Sequence, residues 1–178
     1  MFDSTVHIGL GSNLGDRLGH LHEAVNRLAD SPGVRVLQTS SVYESAAHVL
    51  PGAALQPDYL NAILVCQTSL GPEQLLHLCL TIEESLGRVR SEGVRWEPRT
   101  LDLDILIWGD RMVDVPALTI PHPRLDRRAF VLLPLAEIDM DLIIPSPFDC
   151  TVRYLLLHCS EVKSTVQTPF QLSIPPFE

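Results

Sequence analysis

Lysine is almost missing from this chain: Lys163 is the only one, and every other basic side chain is an arginine. Positive charge is scarce altogether, with 13 Lys and Arg against 22 Asp and Glu and a formal net charge of −9. That balance argues against a nucleic-acid partner, because such proteins carry a basic face to neutralise phosphates. No apolar run approaches the roughly 20 residues that span a bilayer. The opening MFDSTVHIGLGS has neither the basic region nor the apolar stretch of a secretory signal, so the expected setting is the cytoplasm, away from membranes. Cys66, Cys79, Cys150 and Cys159 lack CxxC spacing and lie in apolar periodic runs, which favours buried free thiols over a metal site. Linker, internal repeat and low-complexity stretch are all wanting.

The 178 residues fit one compact domain, expected over residues 1–160 and monomeric, with residues 161–178 a polar, proline-punctuated peripheral tail. TVHIGL reads as a strand, followed by Asp16 as N-cap and a helix with Leu18, Leu21, Val25 and Leu28 on one face, closed by Pro32 and Gly33. One strand is predicted over 34–43 and another over 58–68. Gly71 and Pro72 open a second helix through Leu75, Leu76, Cys79, Ile82 and Leu86, with Gly87 just past its end. TLDLDILIW is a strand turned by Gly109 and Asp110 into a short partner around Met112. The order β-α-β-β-α-β predicts an α+β fold: a ferredoxin-like antiparallel sheet with helices packed on its faces as an α/β/α sandwich. Residues 126–138 predict a helix interrupted or ended near Pro134, and 151–158 a short one, both available to cover the sheet's other face.

The sharpest feature is Arg99-Thr100-Leu101-Asp102-Leu103-Asp104-Ile105. In a strand, alternate side chains share a face, so Asp102 and Asp104 project together while Leu101, Leu103, Ile105 and Ile107 are expected on the opposite face. Adjacent carboxylates repel unless a cation lies between them, and hard oxygen ligands with no nearby His or Cys suit Mg²⁺. The competing reading is a strand face with two solvated acids. Arg88, Arg90, Arg95 and Arg99 fall within the stretch 88–99, and arginine's planar fork matches phosphate oxygens. Cation-binding and anion-binding groups therefore converge, as a magnesium-bound polyphosphate requires.

Gly9-Leu10-Gly11-Ser12-Asn13-Leu14-Gly15 is spaced GxGxxxG with no following GK[ST], so it meets neither the dinucleotide nor the P-loop fingerprint. It is read as a glycine-rich turn, structural or approaching a ligand. Tyr59 and Asn61 share a strand face, Trp96 sits in the arginine loop and Phe130 opens a helix, a set suited to a flat ring read by an amide. His122, held between Pro121 and Pro123 ahead of Arg124, Arg127 and Arg128, is a candidate phosphate contact.

The strings GLGSNLGDR, SSVYES, QPDYLNAI, GRVR, RWEPRTLDLDIL, LTIPHPRL and RRAFVLLPLAEI, in this order, resemble the 6-hydroxymethyl-7,8-dihydropterin pyrophosphokinases of folate biosynthesis over roughly residues 7–138. The resemblance implies transfer of the β,γ-diphosphate of ATP to the pterin hydroxymethyl group, giving AMP, with two Mg²⁺ ions held by Asp102 and Asp104. It implies a pterin site of Ser45, Tyr59, Asn61, Glu83, Trp96 and Phe130, phosphate contacts from Arg88, Arg99, His122 and Arg128, and Thr119 beside ATP. The chain departs from the family at Glu97, where a small residue is usual, at Ser45-Ala46, where Thr-Pro is common, and at Pro123. The alternatives are another magnesium-dependent nucleotide transferase on the same scaffold, or a catalytically silent ferredoxin-like binding module. Residues 44–57 and 88–99 are non-periodic and are expected to close over bound ligands.

The alternating pattern predicts that Asp102→Ala and Asp104→Ala each abolish turnover with the fold intact. Circular dichroism and an assay at limiting Mg²⁺ check this; near wild-type activity in either variant would refute a two-metal site.

Overall fold

The computed structural model describes residues 4–47, 55–89 and 97–176. Their order is β1 (Ser4–Ser12), α1 (Arg17–Ala29), β2 (Val34–Thr39), β3 (Ser41–Ser45), β4 (Tyr59–Thr68), α2 (Pro72–Ser85), β5 (Asp102–Trp108), β6 (Val113–Val115) and β7 (Leu118–Ile120). A 3-10 turn at Leu125–Arg127 leads into α3 (Ala129–Asp139), β8 (Ile143–Ile144), β9 (Cys150–Thr151) and α4 (Val152–His158). A second 3-10 turn at Val162–Ser164 precedes β10 (Thr165–Gln171). The main sheet runs β10-β3-β4-β1-β5, with β2 also on β4, and its pairings are antiparallel. Counting β2 and β3 as one interrupted strand, the chain up to β5 has the ferredoxin-like order, and the α+β class stands.

Local signals place the helices. Asp16 accepts the Gly19 N–H at 3.0 Å to cap α1, and Gln74 accepts the Gly71 N–H at 2.8 Å where Pro72 starts α2. The end of α2 is a Schellman turn: Gly87 N–H reaches Glu84 O at 3.0 Å, Arg88 N–H reaches Glu83 O at 3.0 Å, and Gly87 has φ +82°. The first core lies between the sheet and α1 and α2, around Ile8, Leu21, Leu64, Leu75 and Leu103. The second lies between the other face and α3 and α4, around Ile63, Leu106, Leu132, Leu135 and Leu155. The sheet is thus covered on both sides.

Five expectations change in detail. The strand predicted over 34–43 breaks at Ser40, whose N–H and Oγ take the Ile63 carbonyl and N–H, each at 2.9 Å, bending the chain along β4. Strand β5 does not turn back on Met112, which is exposed; the hairpin is β6 with β7. Helix α3 runs through Pro134, held by buried Val131, Leu132 and Leu135 on either side. Ile107 lies not opposite the aspartates but with Leu106 in the second core. The cause is a bulge: His7 and Ile8 of β1 face Ile107 and Ile105, so Leu106 is an extra residue and the alternation flips beyond it. Residues 165–171, within the expected tail, form β10 along β3 at the edge of the sheet.

At Gly87 an added Cβ would meet nothing within 4 Å, so Gly87→Ala tests the backbone alone. The left-handed conformation predicts a loss of about 1 kcal/mol in urea unfolding. No loss would mean that the Schellman turn is not what ends α2.

Candidate active site

Strand alternation turns Asp102 and Asp104 of β5, Tyr59 and Asn61 of β4, and Gly9 and Gly11 of β1 to the same face of the sheet. Gly11 stands in register with Asn61 on one side and Asp102 on the other, and Gly9 with Ile63 and Asp104. The glycines lie within β1, which continues to Ser12, and not in a turn. Lacking side chains in mid-sheet, they leave a hollow. A Cβ on Gly11 would lie 3.6 Å from Asn61 Oδ1 and 3.8 Å from Asp102 Cβ. Above this floor is a cavity of about 510 Å³ whose lining includes Ser45, Tyr59, Asn61, Arg99, Asp102, Asp104, Arg128 and Phe130.

The predicted set is therefore largely brought together. Asn61 is buried, and its Nδ2 donates to Ser45 Oγ at 3.0 Å, which leaves Oδ1 as an acceptor at the cavity wall. The Arg99 guanidinium lies 6.0 Å from the Tyr59 ring centroid, and that of Arg128 lies 5.5 Å from the centroid of Phe130. Trp96 falls outside the described residues, as do parts of the two stretches expected to close.

Four predicted residues sit off the cavity lining: Arg88, which reaches it only through its ion pair with Asp102, and Glu83, Thr119 and His122. Glu83, 1% exposed, does not line the cavity: α2 packs against β5, and Glu83 Oε1 accepts the Leu103 N–H at 2.7 Å. It also pairs with Arg88 Nη1 at 2.6 Å. Among the described residues strand β5 pairs only with β1, so this carboxylate serves a backbone donor between the two aspartates. Thr119 is exposed on β7, its hydroxyl 3.4 Å from Asp114 Oδ1. His122 donates its N–H to Leu106 O at 2.8 Å and accepts the Arg124 N–H on Nδ1 at 3.1 Å. With Nδ1 an acceptor, Nε2 carries the hydrogen. Burial, then the charges of Arg128 and Arg124, lowers the imidazole to about 4, so it is neutral at pH 7.

The carboxylate pair is tied to the arginines. Asp102 takes Arg88 on Oδ1 and Arg99 on Oδ2, the latter at 2.8 Å, and Asp104 takes Arg128 at 3.1 Å. Burial and the neighbouring Asp102 charge push the Asp104 carboxyl up, against the pull of Arg128 and Arg99. Among the described residues no three His, Cys, Asp or Glu side chains gather as a metal site. A cation here would rest on two carboxylates and draw its remaining ligands from substrate and water, which is the pattern of Mg²⁺.

Five further contributors, Gly9, Gly11, Asn13, Arg124 and Arg127, have no settled role in the sequence reading. Gly9 and Gly11 are signalled by GxG, which reads as a turn that is structural or approaches a ligand; the structure places them in a strand. Asn13, fully buried, accepts the Arg99 N–H on Oδ1 at 2.8 Å and donates from Nδ2 to Pro57 O at 3.2 Å, joining both loop segments. Arg124 and Arg127 line the cavity beside Arg128, and their clustering after His122 was the available signal.

The chain is similar to several known proteins. Residues 7–140 match the family described as 7,8-dihydro-6-hydroxymethylpterin-pyrophosphokinase. The 2-amino-4-hydroxy-6-hydroxymethyldihydropteridine pyrophosphokinase of Synechocystis is 46% identical over 138 residues, 78% of this chain and 68% of that protein. The enzyme of the same name from Haemophilus influenzae is 42% identical over 142 residues, 80% and 86% of the two chains. Among solved structures, an HPPK-DHPS in complex with substrates superposes with a TM-score of 0.71 at 12% identity, covering 94% of this chain and 47% of that one. Plasmodium falciparum HPPK-DHPS with pteroate gives 0.67 at 16% identity, covering 90% and 43%. The chain thus spans less than half the length of those proteins, and at such identity the likeness concerns fold. Taken with the paired aspartates on a glycine-floored sheet, the match over residues 7–140 shows that this chain belongs to the 7,8-dihydro-6-hydroxymethylpterin-pyrophosphokinase family.

Proposed function

We propose that the chain transfers the β,γ-diphosphate of ATP to the hydroxymethyl oxygen of 6-hydroxymethyl-7,8-dihydropterin, releasing AMP, as a step of folate biosynthesis. The observation that carries this reading is one cavity holding a dicarboxylate, convergent arginines and an aromatic-lined amide, the groups needed for a metal polyphosphate and a flat polar ring. Family membership supports it independently.

In this reading the pterin lies against Tyr59 and Phe130, and Trp96 adds a further aromatic surface. Asn61, oriented by Ser45, accepts an N–H from the ring edge. Asp102 and Asp104 hold two Mg²⁺ ions, whose chemistry when bound is to offset the polyphosphate charge and orient the reacting oxygens. Arg88, Arg99 and Arg128 stand where negative charge moves as the β-phosphorus passes from AMP to the alcohol oxygen. His122 is a neutral Nε2–H donor to phosphate oxygen and not a proton acceptor, since Nδ1 is already engaged. Thr119 lies beside the nucleotide. Positioning and charge supply the catalysis, so the reaction needs no strong base. Among the described residues no helix is long and apolar enough to cross a membrane, and the reading is of a cytoplasmic monomer acting on small molecules without nucleic acid.

Incubation with ATP, Mg²⁺ and the reduced pterin alcohol, followed by nucleotide chromatography, tests the reaction. AMP formed one-to-one with pterin diphosphate is expected; ADP would mean a single phosphoryl transfer, and no nucleotide product would return the site to a binding role. A second outcome follows from the glycine floor. Gly11→Ala meets its neighbours at ordinary contact distance, so stability should change by less than about 1 kcal/mol. The methyl group takes ligand space between Asn61 and Asp102, and the KM for pterin should rise about tenfold. Unchanged kinetics would show that ligands do not approach the β1 backbone.

A further inference from the structure

Each carboxylate of the pair is already neutralised. Three carboxylates face three guanidinium groups: Glu83, Arg88, Asp102 and Arg99 are linked in one chain of ion pairs, and Asp104 with Arg128 forms a separate, part-buried pair beside it. Both oxygens of Asp102 are engaged, and the side chains of Arg88, Arg99 and Arg128 are 13%, 20% and 19% exposed.

We propose that these arginines are counter-ions that must leave Asp102 and Asp104 before a metal can enter, so that metal binding is conditional on the nucleotide. The inference rests on the reading of the site as a magnesium–nucleotide centre and goes beyond it, because it assigns the arginines a role before catalysis. A bare divalent cation would add two positive charges to a balanced set and displace a guanidinium into a part-buried site with no partner. A cation arriving with a polyphosphate brings oxygens that accept the displaced guanidinium groups, so the same exchange becomes favourable.

The arginines are not equivalent. Arg88 keeps Glu83 at 2.6 Å when it leaves Asp102. Arg99 stays attached through its backbone N–H to Asn13 and its Nε to Glu97 O at 3.4 Å. Arg128 has Asp104 as its only carboxylate partner among the described residues. Arg128 is therefore the strongest block to a bare metal and the best variant to test.

The experiment is titration of Mn²⁺ into the full chain, followed by electron paramagnetic resonance of the free ion, with and without a non-hydrolysable ATP analogue. For the wild type we expect the analogue to tighten Mn²⁺ binding at least tenfold. In Arg128→Gln, Mn²⁺ alone should bind several-fold more tightly than in the wild type, and the enhancement by the analogue should shrink. Arg124→Gln is the control for general charge, because Arg124 lines the same cavity with no carboxylate partner among the described residues and should shift Mn²⁺ affinity less. Should Arg128→Gln fail to fold by circular dichroism, Arg99→Gln carries the same expectation at Asp102. Equal Mn²⁺ affinity with and without the analogue in the wild type overturns the proposal. So does a folded Arg128→Gln or Arg99→Gln that binds Mn²⁺ alone no better than the wild type or no better than Arg124→Gln. If the wild type binds no Mn²⁺ even with the analogue, the magnesium–nucleotide reading fails as well; if only the variants disappoint, that reading stands and this inference alone falls.

Discussion

Asp102, gripped on one oxygen by Arg88 and on the other by Arg99, is the contact around which the rest of the site is arranged. Arg88 is there because α2 ends in a Schellman turn at Gly87, which folds the chain back over Glu83. Glu83 is there because the edge of β5 needs an acceptor for the Leu103 N–H, between the two aspartates. Arg99 is there because Asn13, at the end of β1, holds its N–H. Secondary-structure ends, normally places of unsatisfied polar groups, are satisfied here by the groups that gather the charges.

The same geometry accounts for a hollow in the middle of a covered sheet. Face-to-face packing normally fills the space above a central strand. Along β1, Gly9 and Gly11 supply no side chain on that face, while Leu10 on the other face belongs to the first core. The bulge at Leu106 marks the change of function along β5. Before it the strand shows carboxylates to the cavity; beyond it Ile107 joins Leu106 in the second core. One strand thus serves as ligand platform at one end and packing surface at the other. Conditional metal entry follows naturally from such a site, since opposed charges held this close in a part-buried setting are stable only while each has a partner.

Much of this was legible in the sequence where the relevant physics is local. The alternation of TLDLDI puts Asp102 and Asp104 on one face by the two-residue repeat of a strand, and Gly71, Pro72 and Gly87 mark the ends of α2 through backbone preferences that need no distant contact. The ordered strings of residues 7–138 pointed to the family, and the ferredoxin-like order followed from the periodicity of successive segments. Even the grouping of Tyr59 with Asn61 needed only the pitch of β4.

Long-range pairing decided the remainder. Whether Gly9 and Gly11 belong to a turn or to a strand depends on how far β1 pairs with β4 and β5, and the position of Ile107 depends on a register shift against β1 almost a hundred residues away. Pro134 stays inside α3 because buried neighbours hold the helix, which no local propensity reveals. The place of residues 165–171 was set by β3, far back in the chain. Glu83 illustrates the limit most clearly: its position on α2 was readable, but its partners, the Leu103 N–H and Arg88, exist only once α2 has packed against β5. Composition and spacing fix which charges the chain owns and which face of its own element each occupies. Only tertiary packing decides which of those charges meet, because their interaction depends on distance and burial in space rather than separation along the chain.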